Sequence, residues 1–167
     1  MVTWLYGTLV FVAAQRLGEL VWGGANTTRL RRQGAVEADG AGYPLLVMLH
    51  VCWLGAMALL VSAAAAPRWP LLGLFAVLQL LRLWVILSLG RFWTTRILTL
   101  PGAPLSNYGP YRWLRHPNYL IVGAEIALLP LAFGAVAIAA AFPVANLLLI
   151  GRRIRIEERV LAPRRRL

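Results

Sequence analysis

The stretch YLIVGAEIALLPLAFGAVAIAAAFPVANLLLIG, residues 119–151, decides the fold, because it forms either one long helix or two short ones. At about 1.5 Å per residue, one helix of this length far exceeds the roughly 30 Å hydrocarbon core of a bilayer. Two helices of about 16 residues are short for a bilayer but feasible. Gly134, within the run LAFGA, suits the turn between them. We therefore predict a break at Gly134.

The composition is that of a polytopic membrane protein. The 167 residues are 60% hydrophobic and 14% charged, with a mean hydropathy of +0.69. This hydrophobic fraction exceeds what the core of a soluble domain of this size needs. We predict an all-α fold in a single domain, residues 1–167, with five transmembrane helices. The predicted helices lie near 3–24, 44–64, 70–89, 119–133 and 135–151, and the last continues as a cytoplasmic amphipathic extension to about 161.

The arginines give the predicted orientation. All 17 basic residues are arginine, which is typical of a GC-rich bacterial genome. With five spans, the loops 25–43 and 90–118 and the tail 152–167 share one face and hold every loop arginine except Arg68. By the positive-inside rule, the N-terminus is outside and the C-terminus is cytoplasmic, in the bacterial inner membrane. A single long fourth helix would send the arginine-rich tail outside, so this pattern also favours two helices.

The net charge of +11 raises the question of a partner. No soluble basic domain carries this charge, so we expect anionic lipid headgroups as the partner and no nucleic acid. The single cysteine, Cys52, excludes an internal disulfide, and we predict no metal site. The sequence leaves the oligomeric state open.

Several polar residues fall inside the predicted spans, all in the cytoplasmic half of the bilayer. An ionisable group in hydrocarbon costs about 2.5–3.5 kcal/mol even on the insertion scale, so such a gathering is a candidate functional site. The alternative is that Arg16 pairs with Glu19, and Arg82 with Glu125, only to hold the helices together. The polar residues inside the predicted spans are Arg16, Glu19, His50, Gln79, Arg82, Glu125 and Asn146.

The stretch GPYRWLRHPNYL, residues 109–120, leads into the fourth predicted helix. Proline suits the first helical position, so we predict that Pro117 occupies N1 and leaves free amide groups facing the preceding loop. A helix N-terminus beside Arg112, Arg115 and His116 is suited to a carboxylate or phosphate. The alternative is ordinary anchoring at the interface, with the arginines on headgroups and the aromatic residues beside them.

The fifth helix leaves the membrane as GRRIRIEERVL, residues 151–161. Arg153 and Glu157 lie on one stripe at i, i+4. If the fourth and fifth helices fold back on each other, this stripe lies beside His116 and Tyr119. A solvated charged face is the alternative interpretation.

These two segments carry a resemblance. GPYRWLRHPNY followed by RIRIEERVL resembles the C-terminal signature of the isoprenylcysteine carboxyl methyltransferase family, in which the two motifs bracket a transmembrane hairpin. RLGEL at 16–20, GAVEADGAGYP, His50 and LRLWVILSLGRFWTTRI at 81–97 are similar to the short bacterial branch, so the likeness covers nearly the whole chain. RHPxY alone is shared with sterol reductases, whereas the paired motifs are more specific.

The resemblance implies an integral membrane methyltransferase whose motif-bearing part is about 90–161, with S-adenosylmethionine bound between the loop and the hairpin. It also implies a lipophilic acceptor reached from the bilayer. Arg153 would orient the acceptor oxygen, while Glu157 would fix the guanidinium or accept a proton. Arg82, Glu125 and Glu158 are further candidates on the substrate side. The residues implied to hold the cofactor are Leu105, Ser106, Tyr111, His116, Pro117, Asn118 and Tyr119.

Alternatives to this function remain at the level of sequence. One is an NADPH-dependent membrane reductase of the sterol or isoprenoid type, and another is a non-enzymatic protein anchored to lipid. A Rossmann methyltransferase is excluded because the chain has no soluble glycine-rich βαβ motif. For the acceptor, we expect the ring hydroxyl of an alkylpyrone- or alkylresorcinol-like lipid ahead of a prenylcysteine carboxylate.

Overall fold

The fold is helical. A computed structural model describes residues 3–103 and 106–162. Two strands of two residues each, β1 (Val36–Glu37) and β2 (Leu98–Thr99), and two short 3-10 turns, Gly90–Phe92 and Gly109–Arg112, complete the described part. The predicted all-helical class is therefore confirmed. The helices are α1 (Trp4–Arg32), α2 (Gly42–Leu60), α3 (Trp69–Leu89), α4 (Pro117–Ala132) and α5 (Val136–Leu161).

Helix α1 is longer than predicted, since it continues past residue 24 to Arg32. The glycines at its predicted end do not break it. Gly23 instead permits close packing, because a Cβ there would lie 3.2 Å from the backbone nitrogen of Thr95. One turn later, the side chain of Asn26 donates to the carbonyls of Gly90 (3.1 Å) and Trp93 (2.8 Å). Tertiary contacts with the segment after α3 therefore stabilise the extra turns.

The other helix boundaries differ by smaller amounts. Helix α2 begins at Gly42, before Pro44, because proline is tolerated in a first turn and Asp39 accepts a hydrogen bond from the Gly42 amide (3.0 Å). It ends at Leu60 and not at residue 64. Helix α4 begins at Pro117 and not at residue 119, and His116 is its N-cap. The prediction that Pro117 occupies N1 is confirmed.

The break within residues 119–151 is also confirmed. Gly134 lies between α4 and α5 with φ +74°, a conformation that favours glycine. The amide of Ala135 donates to the carbonyl of Pro130 (2.9 Å), which closes the turn. Helix α4 supplies Ile126 and Leu129 to a buried core that also includes Trp53 of α2. Helix α4 thus contributes centrally to the core of the bundle.

Within residues 3–103 and 106–162, three helices are long and apolar enough to cross a membrane: Gly42–Leu60, Trp69–Phe92 and Val136–Leu161. Helix α4 is apolar but shorter, and α1 carries several polar residues. The protein is therefore an integral membrane protein. Five spans, with α1 and α4 included, stay a prediction.

Buried ionic contacts join α1, α3 and α4. Arg82 donates to Glu19 through Nε (2.6 Å) and Nη2 (2.5 Å), and its Nη1 lies 3.4 Å from Glu125. Arg16 contacts Glu19 at 3.2 Å and Glu125 at 2.5 Å, and Gln79 donates to Glu125 at 2.9 Å. We call these five residues the ionic network. The positive charges of the two guanidinium groups balance the negative charges of the two carboxylates, and each carboxylate contacts both arginines.

A strand pairing that the sequence analysis did not predict holds the segment after α3. Val36 of β1 pairs with Thr99 of β2 in antiparallel register. Glu37 of β1 pairs with Arg96 at 2.7 Å and also with Arg31. The segment 90–103 is thereby tied to the end of α1.

Removing one carboxylate of the ionic network should destabilise the protein. Glu125→Gln removes one charge and leaves two buried guanidinium groups with a single carboxylate, which should destabilise the protein by roughly 3–5 kcal/mol. Arg31→Gln, which breaks a half-exposed ion pair, should cost about 1 kcal/mol or less. Thermal unfolding in detergent measures both. Equal midpoints for the two variants would contradict a structural role for the ionic network.

Candidate active site

A cavity of about 660 Å³ lies between the 90–118 segment and helices α2 to α5. This volume is in the range of small-molecule sites, roughly 300–1,000 Å³. Its walls combine apolar side chains such as Val122 and Ile150 with polar groups from the loop and both motifs. The cavity is therefore suited to a ligand with both apolar and charged parts.

Most of the predicted site residues line this cavity. Pro117 does not, because it is buried at the start of α4. Glu158 also does not line it, but bonds to His116, and Leu105 lies outside the described residues. Glu125 is fully buried in the ionic network, and the structure gives it the role of neutralising Arg16 and Arg82. The predicted residues that line the cavity are Arg82, Ser106, Tyr111, His116, Asn118, Tyr119, Arg153 and Glu157.

The two motifs are clasped together at the end of α5. The Tyr119 hydroxyl donates to Glu157 at 2.9 Å. His116 contacts Glu158 through Nε2 at 2.8 Å, and its Nδ1 lies 3.5 Å from Glu157. The rings of His116 and Tyr119 stack with centroids 5.5 Å apart. We call these four residues the motif clasp.

Hydrogen bonding and burial determine the protonation of His116 and of Tyr111. The hydrogen bond to Glu157, with a second to Glu158, raises the pKa of His116 above its ordinary 6.5 and favours the imidazolium. Burial, with Glu157 nearby, raises the pKa of the Tyr111 phenol, so this hydroxyl stays protonated. The surroundings therefore favour the protonated ring of His116 and keep the Tyr111 hydroxyl as a neutral donor.

Arg153 has an unusual environment for a guanidinium. The residue is only 4% exposed, and its Nη2 donates to the carbonyl of Thr95 at 3.0 Å. Its Nε and Nη1 are buried without a hydrogen-bond partner of ordinary geometry among the described residues, although the guanidinium also interacts with the Tyr119 hydroxyl. The expected bond from Glu157 to the guanidinium does not form, because Glu157 is engaged by Tyr119 and His116 instead.

The unpartnered donors of Arg153 need a hydrogen-bond partner from a ligand or an ion. A buried polar group without a partner is costly, and a cationic one more so, unless a ligand or an ion satisfies it. The carboxamide oxygen of Asn118 is likewise buried without a partner in the described part of the chain. The cavity thus presents two donors to an anionic oxygen and one acceptor to a ligand N–H or O–H.

The sequence analysis assigned no site role to the segment Trp93–Arg96, whose residues all line the cavity. Arg153 reaches the Thr95 carbonyl, and Trp93 is buried with its indole nitrogen unpartnered among the described residues. His50 of α2 also lines the cavity. His50 was among the polar residues predicted to gather in the cytoplasmic half of the bilayer, whereas the only signal for Trp93–Arg96 was their place in a stretch that carried the family resemblance.

A family model matches residues 71–163, more than half of the chain, and is described as the isoprenylcysteine carboxyl methyltransferase (ICMT) family. The chain belongs to the isoprenylcysteine carboxyl methyltransferase family. The matched range contains the cavity-lining loop, both motifs and the helices between them. The predicted family is therefore confirmed. Membership favours membrane methyl transfer over the reductase and the non-enzymatic alternatives.

A curated relative supports the same relationship over nearly the full length. The chain is 36% identical over 164 residues to the uncharacterized protein YpbQ of Bacillus subtilis (strain 168), covering 95% of each chain. No solved structure matches the chain significantly. The name of the relative gives no activity.

The stabilisation that His116 contributes through the motif clasp should depend on pH. Because the folded-state pKa of His116 is raised, its stabilisation is fully present below the ordinary value of 6.5 and is lost as the pH rises through the raised value. The difference in unfolding midpoint between wild type and His116→Gln should shrink as the pH rises above 6.5. Arg112→Gln, an exposed arginine nearby, should show a difference independent of pH. A difference for His116→Gln that stays constant would contradict the raised pKa.

Proposed function

We propose that the protein is an S-adenosylmethionine-dependent O-methyltransferase that acts on a lipophilic acceptor within the membrane. The observation that carries the proposal is Arg153, a buried guanidinium on the cavity wall with two donors unpartnered among the described residues. Such donors need an anionic or strongly polarised oxygen. Membership of a methyltransferase family supports the proposal that this oxygen receives the methyl group.

The residues of the cavity fit the proposed cofactor. The N-terminus of α4 suits its carboxylate, and the unpartnered carboxamide oxygen of Asn118 suits an ammonium or ribose hydroxyl. Tyr111 and Ser106 line the same side of the cavity and offer further hydroxyl groups. Carboxylate, ammonium and hydroxyl groups all have complementary partners there.

When bound, S-adenosylmethionine supplies a methyl group activated on a sulfonium sulfur. Transfer to oxygen is an in-line displacement, so the protein has to align the partners and exclude water. Arg153 orients the acceptor oxygen, and the Thr95 carbonyl holds the guanidinium through Nη2. The motif clasp closes the loop side of the cavity by joining the start of α4 to the end of α5.

We further propose that all five helices cross the membrane, with α4 and α5 as a transmembrane hairpin and the cavity on the cytoplasmic side. The arginine distribution supports this orientation, because Arg68 alone lies in a loop on the other face. Arg112, Trp113 and Arg115 are exposed beside the cavity and suit contact with anionic headgroups. The acceptor would then enter from the inner leaflet.

Ligand binding tests the proposed cofactor. Titration of the purified protein in detergent with S-adenosylmethionine should show saturable binding, with a Kd between about 1 μM and 1 mM. NADPH should show none. Binding of NADPH alone would support a membrane reductase and contradict methyl transfer, and binding of neither would contradict both enzymatic interpretations.

A conservative substitution tests the acceptor side. Arg153→Lys keeps the charge but loses the planar fork, so methyl transfer from labelled S-adenosylmethionine to a lipid extract should fall about 10²-fold. Cofactor affinity should stay near wild type. Arg155→Lys is the matched control, since Arg155 is exposed on the same helix and should change little. Full activity in Arg153→Lys would remove Arg153 from the mechanism.

A further inference from the structure

The Thr95 carbonyl determines how the guanidinium of Arg153 is oriented. Nη2 donates to this carbonyl at 3.0 Å, and the other two nitrogens have no hydrogen-bond partner of ordinary geometry among the described residues. The Tyr119 hydroxyl of α4 also interacts with the group. Because a guanidinium is planar and rigid, the point at which Nη2 is held fixes the directions of Nε and Nη1. A shift of the Thr95 carbonyl would therefore turn the donors that are left for a ligand.

Thr95 lies in the 90–97 segment, outside any helix or strand, so its position depends on contacts made by its neighbours. The side chain of Asn26, on α1, donates to the carbonyls of Gly90 (3.1 Å) and Trp93 (2.8 Å). The pairing of β1 with β2 holds the chain just beyond the other end of the segment. Thr95 is thus suspended between two fixed points.

Asn26 is itself held in one orientation. The residue is buried, and its Oδ1 accepts a hydrogen bond from Nη2 of Arg29 at 2.8 Å. The same nitrogen of Arg29 also donates to the carbonyl of Arg91 at 3.0 Å. A buried carboxamide whose donors and oxygen are all engaged cannot rotate without losing these bonds. Helix α1 therefore fixes the turn that precedes Thr95.

The backbone of Thr95 also lies directly against α1. A Cβ at Gly23 would be 3.2 Å from both the backbone nitrogen and Cγ2 of Thr95, closer than ordinary van der Waals contact. A Cβ at the neighbouring Gly24 would meet no atom within 4 Å. Neither glycine has a positive φ, so the helix itself does not require glycine at either position. Gly23 thus sets how closely Thr95 approaches α1.

We propose that α1 positions Arg153 for methyl transfer, with Gly23 and Asn26 acting through Thr95. This inference rests on the proposed function and adds two positioning residues to it. Neither of the two lines the cavity. Gly23 sets the distance between Thr95 and α1, and Asn26 sets the path of the preceding turn. Together they place the Thr95 carbonyl so that the free nitrogens of Arg153 meet the acceptor oxygen.

Substitution of the two adjacent glycines tests the proposal. Gly23→Ala should lower kcat for methyl transfer about tenfold, because a misplacement of about 1 Å costs about 10²-fold and the close contact requires a smaller shift. The affinity for S-adenosylmethionine should stay near wild type. Gly24→Ala is the matched control, since it brings the same gain in helix propensity without a new contact and should keep wild-type kcat. Wild-type kcat in Gly23→Ala would overturn the proposal.

Combination with Arg153→Lys separates positioning from a general loss of stability. Lysine has no planar fork that a displaced carbonyl could turn, so Gly23→Ala should add little to the loss caused by Arg153→Lys. If Gly23 acted on the reaction by another route, the two losses in kcat would multiply. Multiplying losses would overturn the proposal even if Gly23→Ala alone lowers kcat as expected.

Nuclear magnetic resonance of the arginine side chains gives a readout without turnover or cofactor. In ¹⁵N-arginine-labelled protein in nanodiscs, the Nε–H signal that is missing from Arg153→Lys identifies Arg153. Gly23→Ala should shift this signal, and Gly24→Ala should leave it unchanged. Asn26→Ala, which releases the turn before Thr95 without adding bulk, should also shift it and serves where Gly23→Ala does not fold. An unchanged signal in the folded variants would overturn the proposal.

Failure of this proposal is distinguishable from failure of the proposed function. Unchanged kcat and an unchanged Arg153 signal in the α1 variants would remove the role of α1 and leave methyl transfer at Arg153 in place. Full activity of Arg153→Lys would overturn the role of Arg153 and with it that of α1. Absence of S-adenosylmethionine binding to the wild type would overturn the proposed function itself.

Discussion

The structure depends on the compensation of charge inside an apolar bundle. Glu19, Arg82 and Glu125 are buried and Arg16 is largely so; Arg16 and Glu19 pair within α1, but Arg82 and Glu125 have no ionic partner on their own helices to offset the cost of leaving water. The cost is offset only when α1, α3 and α4 bring the four groups together. Because each carboxylate contacts both arginines, the relative positions of three helices are fixed by one set of contacts.

The cavity follows from that arrangement. Arg82 belongs to the ionic network and also lines the cavity, so the network forms part of the cavity wall. Above it, α1 and β1 hold the segment after α3 through Asn26 and Glu37, and that segment offers the Thr95 carbonyl to Arg153. The remaining guanidinium nitrogens then have no partner in the described protein. The same contacts that stabilise the fold thus leave a cationic group poised for a ligand.

Local rules predicted a good part of this organisation. The break at Gly134, the helix start at Pro117 and the gathering of both motifs around one site follow from turn chemistry, proline geometry and helical spacing. The length of α1, the pairing of β1 with β2 and the partners of Glu125 depend on contacts between residues distant in sequence. The position of Arg153 beside Thr95 and of His50 on the cavity wall has the same origin. No pattern within a single segment reports such contacts.

The central claim is that the cavity beneath the 90–118 segment binds S-adenosylmethionine. Hydrogen–deuterium exchange of the protein in nanodiscs, with and without this ligand, tests the claim most directly. If the cavity binds the cofactor, we expect slower exchange in the segments 93–100, 106–120 and 150–161, and no change in the 61–68 loop at the opposite end of α2 and α3. Protection confined to the 61–68 loop, or no protection at saturating ligand, would contradict it.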